Sequence, residues 1–454
     1  MIRRTFPLLL LVAGAACSPP TPTEGPDAQL VTPEVMQQAL TSRPPARLTL
    51  SDEIDFFQGR LADRGEDRLA RTRLFAAYRL RFQAYQQDGD LRAAEEALAD
   101  LPAAALPGAR AALDLDRHRF RSAEASAERA LAAAHGDARE DARRRLFDVY
   151  LAVGRYDDAV AQLERTQDRD GFGYVVRAAR LQDRRGDVAG ARALQARAVE
   201  LARTHAEPPA VQAWSLVSLA HLEHHSGHPA RAIPLLEEAL RLLPGYPAAF
   251  EALGWIAYGV DRDLPTARVL FDRAVEGGGH LSLLLTLADI AALEGDDAEA
   301  GRIRGRFLTA ARADTATTRL YRPALALQLA EHDATVGEAL RLAEADLRQR
   351  RSAEAVSTYA WVLHRAGRPA AARTLFAEAL EWGMPAPAVH LLAGRAAWER
   401  GERSRARHLL EYALSAETEI GPADAERIRT LLDGGSGREG SRDGPRGSRG
   451  VGAT

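Results

Sequence analysis

The 454-residue chain contains no lysine and no asparagine, so all 60 of its basic side chains are arginine. Without lysine there can be no phosphate-loop lysine, no Schiff-base amine and no serine–lysine nucleophile pair. Cys17 is the only cysteine, which excludes an internal disulfide. Neither sign of charge is in surplus, since 63 acidic groups against 60 basic ones leave −3. The basic excess of a protein that lives on phosphate backbones is therefore missing, and no nucleic-acid partner is expected. Aromatic residues are scarce at 6%, while hydrophobic residues reach 46%. Alanine is abundant; it is the best helix former and lets helices pack closely. The composition points to an all-α chain.

The first twenty residues, "MIRRTFPLLLLVAGAACSPP", place Arg3 and Arg4 before an apolar run from Phe6 to Val12 and then small residues up to Cys17. That order reads as an export signal. The run is too short to span a bilayer, which takes about 20 apolar residues. The stretch resembles a bacterial lipoprotein signal, although Gly14 stands where the pattern has a larger aliphatic residue. The resemblance implies a signal peptide over 1–17, a lipidated Cys17 and anchoring in a membrane. Ser18 after the cysteine implies the outer membrane, with the protein facing the periplasm. The other reading of these residues is an ordinary secretory signal that leaves a spare thiol. Residues 18–50 are rich in proline and poor in apolar periodicity, so an extended tether is expected there.

A period near 34 runs through the rest. "GHPARAIPLLEEAL" (227–240), "GRPAAARTLFAEAL" (367–380) and "GERSRARHLLEYAL" (401–414) align without a gap. Each has a glycine, an alanine five residues on, a large apolar residue after four more, and an alanine after a further three. The triplets are Ala232, Leu236, Ala239; Ala372, Phe376, Ala379; and Ala406, Leu410, Ala413, with Ala267, Phe271, Ala274 as a fourth. Steps of four and three hold each triplet on one helical stripe, and the glycine suits the left-handed end of a preceding helix. The unit is helix, turn, helix. Weaker copies carry Gly89/Ala94, Gly154/Ala159, Gly186/Ala191 and Gly295/Ala300. The gap from Ala300 to Ala372 predicts one degenerate unit at 314–345, and the long step from Ala191 to Ala232 predicts an insertion near 207–210.

"FEALGWIAY" (250–258) and "VYLAVGRYDDAVAQL" (149–163) carry the aromatic, Leu-Gly and Gly-Tyr-Ala spacings by which the chain resembles the tetratricopeptide repeat family. The resemblance covers 51–432. It implies a right-handed α-solenoid whose first helices line a concave groove that takes protein or peptide partners. The closing 433–454 is Gly, Ser and Arg with little to bury and is expected to be disordered.

Two side-chain groups stand out against this frame. "AHLEHHSGH" places His221, His224 and His225 near the end of a first helix, and His228 in the turn. Trp214, His221 and His225 share a face by their spacing. The same offset in other units selects Trp255 and Tyr258, Trp361 and His364, and Trp398. By resemblance these nine residues form the partner-binding groove, while Trp382, at a repeat junction, reads as packing. His221 and His225 also have the i, i+4 spacing of two metal ligands on a helix. No third ligand or base is nominated, because Glu223 sits midway between them. A metal-dependent protein and a glycan-binding groove with tryptophan platforms remain the alternatives to a protein-binding scaffold. No cofactor is expected, and no catalytic residue emerges.

Overall fold

The computed structural model describes residues 29–41, 49–86, 88–102, 108–313, 315–381 and 386–439. The signal with Cys17, residues 18–28 and 42–48 of the expected tether, Trp382, and residues 440–454 lie outside them. The described residues form helices and no strand. Two helices come first, α1 (Pro33–Thr41) and α2 (Leu50–Asp63). Paired helices follow: α3 and α4 (Arg68–Tyr85, Asp88–Ala99), α5 and α6 (Ala109–Asp116, Phe120–Ala133), and α7 and α8 (Gly136–Val153, Tyr156–Glu164). Next are α9 and α10 (Phe172–Arg184, Val188–Thr204), α11 and α12 (Pro209–His225, Pro229–Leu242), and α13 and α14 (Pro247–Ile256, Leu264–Glu276). A π-helical turn, Ala257–Asp261, prolongs α13. Then come α15 and α16 (Leu283–Leu293, Asp297–Ala311), and α17 and α18 (Thr315–Ala330, Val336–Leu347). The last pairs are α19 and α20 (Ala353–Arg365, Pro369–Glu381), and α21 and α22 (Pro387–Glu399, Arg403–Ser415). Helix α23 (Glu417–Glu439) ends the array and is broken at Gly421, with φ 80° and ψ 162°. The chain is an all-α solenoid of helix-turn-helix pairs.

One alanine in each second helix explains the period. Ala94, Ala123, Ala159, Ala191, Ala232, Ala267, Ala300, Ala339, Ala372 and Ala406 are all fully buried. A methyl group is what fits where a second helix crosses the first at close range, and packing at interior density leaves no slack for more. The degenerate unit is α17 and α18, with Ala339 as its marker. The pair α5 and α6 carries no glycine signal, because His118 takes the left-handed turn position (φ 53°), as Arg262 does before α14 (φ 55°).

The structure corrects three local readings. Gln86 (φ 50°) closes α3, so Gly89 lies inside α4 and not in the turn. The long step from Ala191 to Ala232 is not a loop insertion: α10 and α11 have 17 residues each. The part of the tether at 29–41 is not extended. Val31 and Ala39 are buried, Leu30, Val35 and Leu40 pack against the main core, and α1 lies on α12. The Leu30 and Val31 N–H groups donate to the Asp261 carboxylate at 2.9 and 2.7 Å. At the other end, α23 runs to Glu439, beyond the expected boundary at 432.

The array curves until early pairs meet late ones. Arg351 N donates to the Val153 carbonyl at 2.9 Å, Arg184 pairs with Glu354 at 2.7 Å, and Arg121 donates to the Arg348 carbonyl at 2.8 Å. Gly154 makes this seam possible: at its φ of 84°, a Cβ would lie 2.6 Å from the Arg351 oxygen.

Candidate functional site

The inner side of this closed curve holds a cavity of about 490 Å³. Helix α11 contributes Trp214, Ser218, His221, His224 and His225, because its inward face repeats every three to four residues. Glu251 and Trp255, one turn apart on α13, face the same space, as do His280, Glu354 on α19, and Thr418 and Asp424 on α23.

Helix α23 closes one side. The Ala423 N–H donates to the Tyr258 hydroxyl at 3.4 Å, and Arg427 reaches Asp289 of α15 at 2.8 Å. The π-helical turn brings Gly259 so close that a Cβ there would lie 2.7 Å from the Thr418 oxygen. Arg262 pairs with Glu417 across the same contact.

Burial sets the electrostatics. It holds His221 and His224 down at about 4 and His225 well below the ordinary imidazole value. All three rings are neutral at pH 7. His221 and His225 stack with centroids 5.9 Å apart, and His224 lies 5.4 Å from His225. Burial pushes the Glu251 carboxyl up to about 7, against the hydrogen bond that the Trp255 indole donates to it. Among the described residues, no group of three or more His, Cys, Asp or Glu side chains is placed to hold a metal ion.

Five of the nine predicted groove residues meet in this cavity: Trp214, His221, His224, His225 and Trp255. The other four do not. Tyr258 is buried beneath α23 and packs edge-on against Trp255 and Phe271. Trp361 is fully buried in the main core, with the Arg395 guanidinium 4.4 Å above its ring. It is buried because α17 and α21 both pack against α19 there, so the inward face meets neighbouring helices and not open space. His364 contacts that ring and bonds Glu399 at 2.8 Å. Trp398 lines a separate groove of about 570 Å³ between α15, α21 and α23.

Sequence reasoning missed Glu251, Ser218 and the whole contribution of α23. For Glu251 a signal was available, since it sits four residues before Trp255 on the same inward stripe. The Ser218 Oγ and the His224 Nε2 are both buried without a hydrogen-bond partner, and nothing local in the sequence marks either.

No family model and no curated protein matches the chain. Among solved structures it is similar to yeast Tom70, at 13% identity and a TM-score of 0.33, over 87% of this chain and 93% of that one. It is similar to the APC/C hetero-tetramer Cut9–Hcn1 at 14% identity and a TM-score of 0.44, over 86% and 84% of the two chains. A tetratricopeptide repeat protein from Parabacteroides merdae is 15% identical with a TM-score of 0.32, over 58% of this chain and 97% of that one. Likeness at this level transfers no residue roles and no function.

Proposed function

We propose that the protein is an exported, lipid-anchored scaffold that binds protein or peptide partners on its concave side and performs no catalysis of its own. The observation that carries this reading is that the concave side already holds a helix. Tyr258, Gly259 and Asp289 receive α23 of the same chain, and beside it the partly buried Trp214 and Trp255 line the cavity. Tryptophans that combine apolar area with an N–H are the side chains that most often anchor protein contacts.

Anchoring is proposed from the signal residues and Cys17, with the outer membrane facing the periplasm as the location. Gln29 is fixed to Asp263 at 2.8 Å. The twelve residue-to-residue steps from Cys17 to Gln29 can span at most about 43 Å, at roughly 3.6 Å each, so the anchor would hold the solenoid close to the membrane surface. One acyl chain anchors only marginally, whereas two or more hold stably.

The test is cross-linking in intact cells followed by fractionation. The wild-type chain is expected in the membrane fraction with acyl mass on Cys17, and Cys17→Ala in the soluble or unprocessed fraction. Trp255→Ala is expected to keep its helical circular dichroism and to lose its cross-linked partner, weakening binding by about 2 kcal/mol or more. A wild-type chain without acyl mass removes the anchor. Cross-links unaffected by Trp255→Ala remove the cavity as the binding surface.

A further inference from the structure

Arginine makes up 60 of the 454 residues, so roughly five would be expected among the 40 described residues that line the cavity beside α11. There is none. Four carboxyl groups do line it: Glu251, Glu354, Glu419 and Asp424. Two of these are already neutralised, Glu354 by Arg184 at 2.7 Å and Asp424 by Arg427 at 2.7 Å. Glu251 is different. Its bond is to the neutral Trp255 indole, and among the described residues no arginine pairs with it. The four histidines that face the cavity are held neutral by burial and supply no positive charge.

The acidic wall is joined by polar atoms with nothing to bond. Ser218 is 7% exposed and His224 is 8% exposed, and both line the cavity. The Ser218 Oγ and His224 Nε2 have no partner. The neutral ring has one lone-pair nitrogen, so Nε2, which has no partner, can serve as an acceptor. Buried polar atoms left open in this way are costly unless something fills the site. An acidic side chain with no ion-pair partner, two open polar atoms and two indole side chains are complementary to a donor-rich cation, which in turn favours the charged form of Glu251.

We propose that the cavity binds an organic ammonium group, with Glu251 as its counter-charge, Trp214 and Trp255 as its walls, and Ser218 and His224 as hydrogen-bond acceptors. The ammonium is carried either by a small aliphatic amine or by a lysine side chain of a partner. This chain has no lysine of its own to occupy the site. The cavity volume of about 490 Å³ is that of a small-molecule or side-chain site. The inference rests on reading the cavity as a binding site, as in the proposed function, and adds the chemistry of what enters.

The test uses the full-length protein in detergent, titrated by calorimetry and tryptophan fluorescence. The probes are cadaverine, Nα-acetyl-lysine methylamide and the neutral 1-pentanol. Saturable binding of at least one amine is expected, with 1-pentanol at least tenfold weaker. Glu251→Gln should weaken the amine at least tenfold while leaving circular dichroism unchanged. Binding of cadaverine alone identifies a small amine as the ligand, and binding of the lysine derivative alone identifies a partner side chain. Failure of both amines, or 1-pentanol binding as tightly as they do, overturns the assignment without recourse to any variant. A folded Glu251→Gln with unchanged amine affinity overturns it as well. If the amines fail while Trp255→Ala still abolishes the cross-linked partner, the scaffold reading stands and only the ammonium assignment falls.

Discussion

His221, His224 and His225 owe their properties first to burial, with a smaller lowering that neighbouring rings impose on His224 and His225. In water each would titrate near 6.5; here His221 and His224 sit at about 4 and His225 well below its ordinary value, because the charged ring would lose its hydration. Between those values and 6.5 the unfolded chain takes up protons that the native chain refuses. Their contribution to stability is therefore present above about 6.5 and is lost as the pH falls through about 4. Glu251, raised to about 7, acts in the opposite sense: its contribution is present below 4.5 and is lost as the pH rises through about 7. Burial depresses His280 and His118 in the same way, to about 4 and about 3, and these five histidines outweigh Glu251 and Asp183, the latter raised to about 6, so the urea midpoint should fall between pH 7 and pH 5, with His221, His224 and His225 carrying the largest share. Replacing all three histidines with glutamine should remove more than half of that fall. A triple variant with the wild-type pH dependence would show that these rings are not buried neutral in the native state.

At the scale of one element, the solenoid depends on its small residues. Ala232, Leu236 and Ala239 of α12 are fully buried on the stripe that α11 covers. Ala239→Leu adds three carbons where there is no room, and overpacking of this kind costs about 1–3 kcal/mol. In a solenoid each unit contacts mainly its neighbours, so the loss should stay local. Hydrogen exchange is expected to quicken over 214–270 while α5 and α6 keep their protection. Uniform loss of protection along the chain would mean one cooperative core in place of a stack of units. Helix α23 follows a different rule. Its own sequence holds Pro422 and Gly421, and its place is set by what it meets: Tyr258, whose ring would be 2.5 Å from a Cβ on Gly421.

The molecule as a whole is a curve closed on itself, and Gly154 is at the seam. Gly154→Val would force a side chain into the left-handed region, at a cost of about 1–2 kcal/mol, and drive it into the Arg351 carbonyl. Helix content should persist because each pair keeps its own contacts. The radius of gyration measured by small-angle scattering should rise, and exchange should quicken at 348–354, where Arg351 donates to Val153 and Glu354 meets Arg184. A variant with unchanged scattering would show that the seam does not hold the curve shut.

Local patterning decided the helices, the alanine stripes and most of the turns, because helical periodicity and the left-handed glycine are properties of a few consecutive residues. It also placed His221, His224, His225, Trp214 and Trp255 on one face, since all five lie on two first helices whose inward sides it could read. The same pattern failed where His118 takes the turn in place of glycine, though the Ala267 stripe after Arg262 stayed legible, and it failed at 29–41, where the apolar positions Val31, Val35 and Ala39 lay hidden among prolines. Only the tertiary structure decided which inward faces stay open. Curvature buries Trp361 between α17 and α21, α23 covers Tyr258, and contacts between residues up to 227 positions apart close the ring around the cavity. Those outcomes depend on small rotations between successive pairs accumulating along the array, and no single repeat carries that sum.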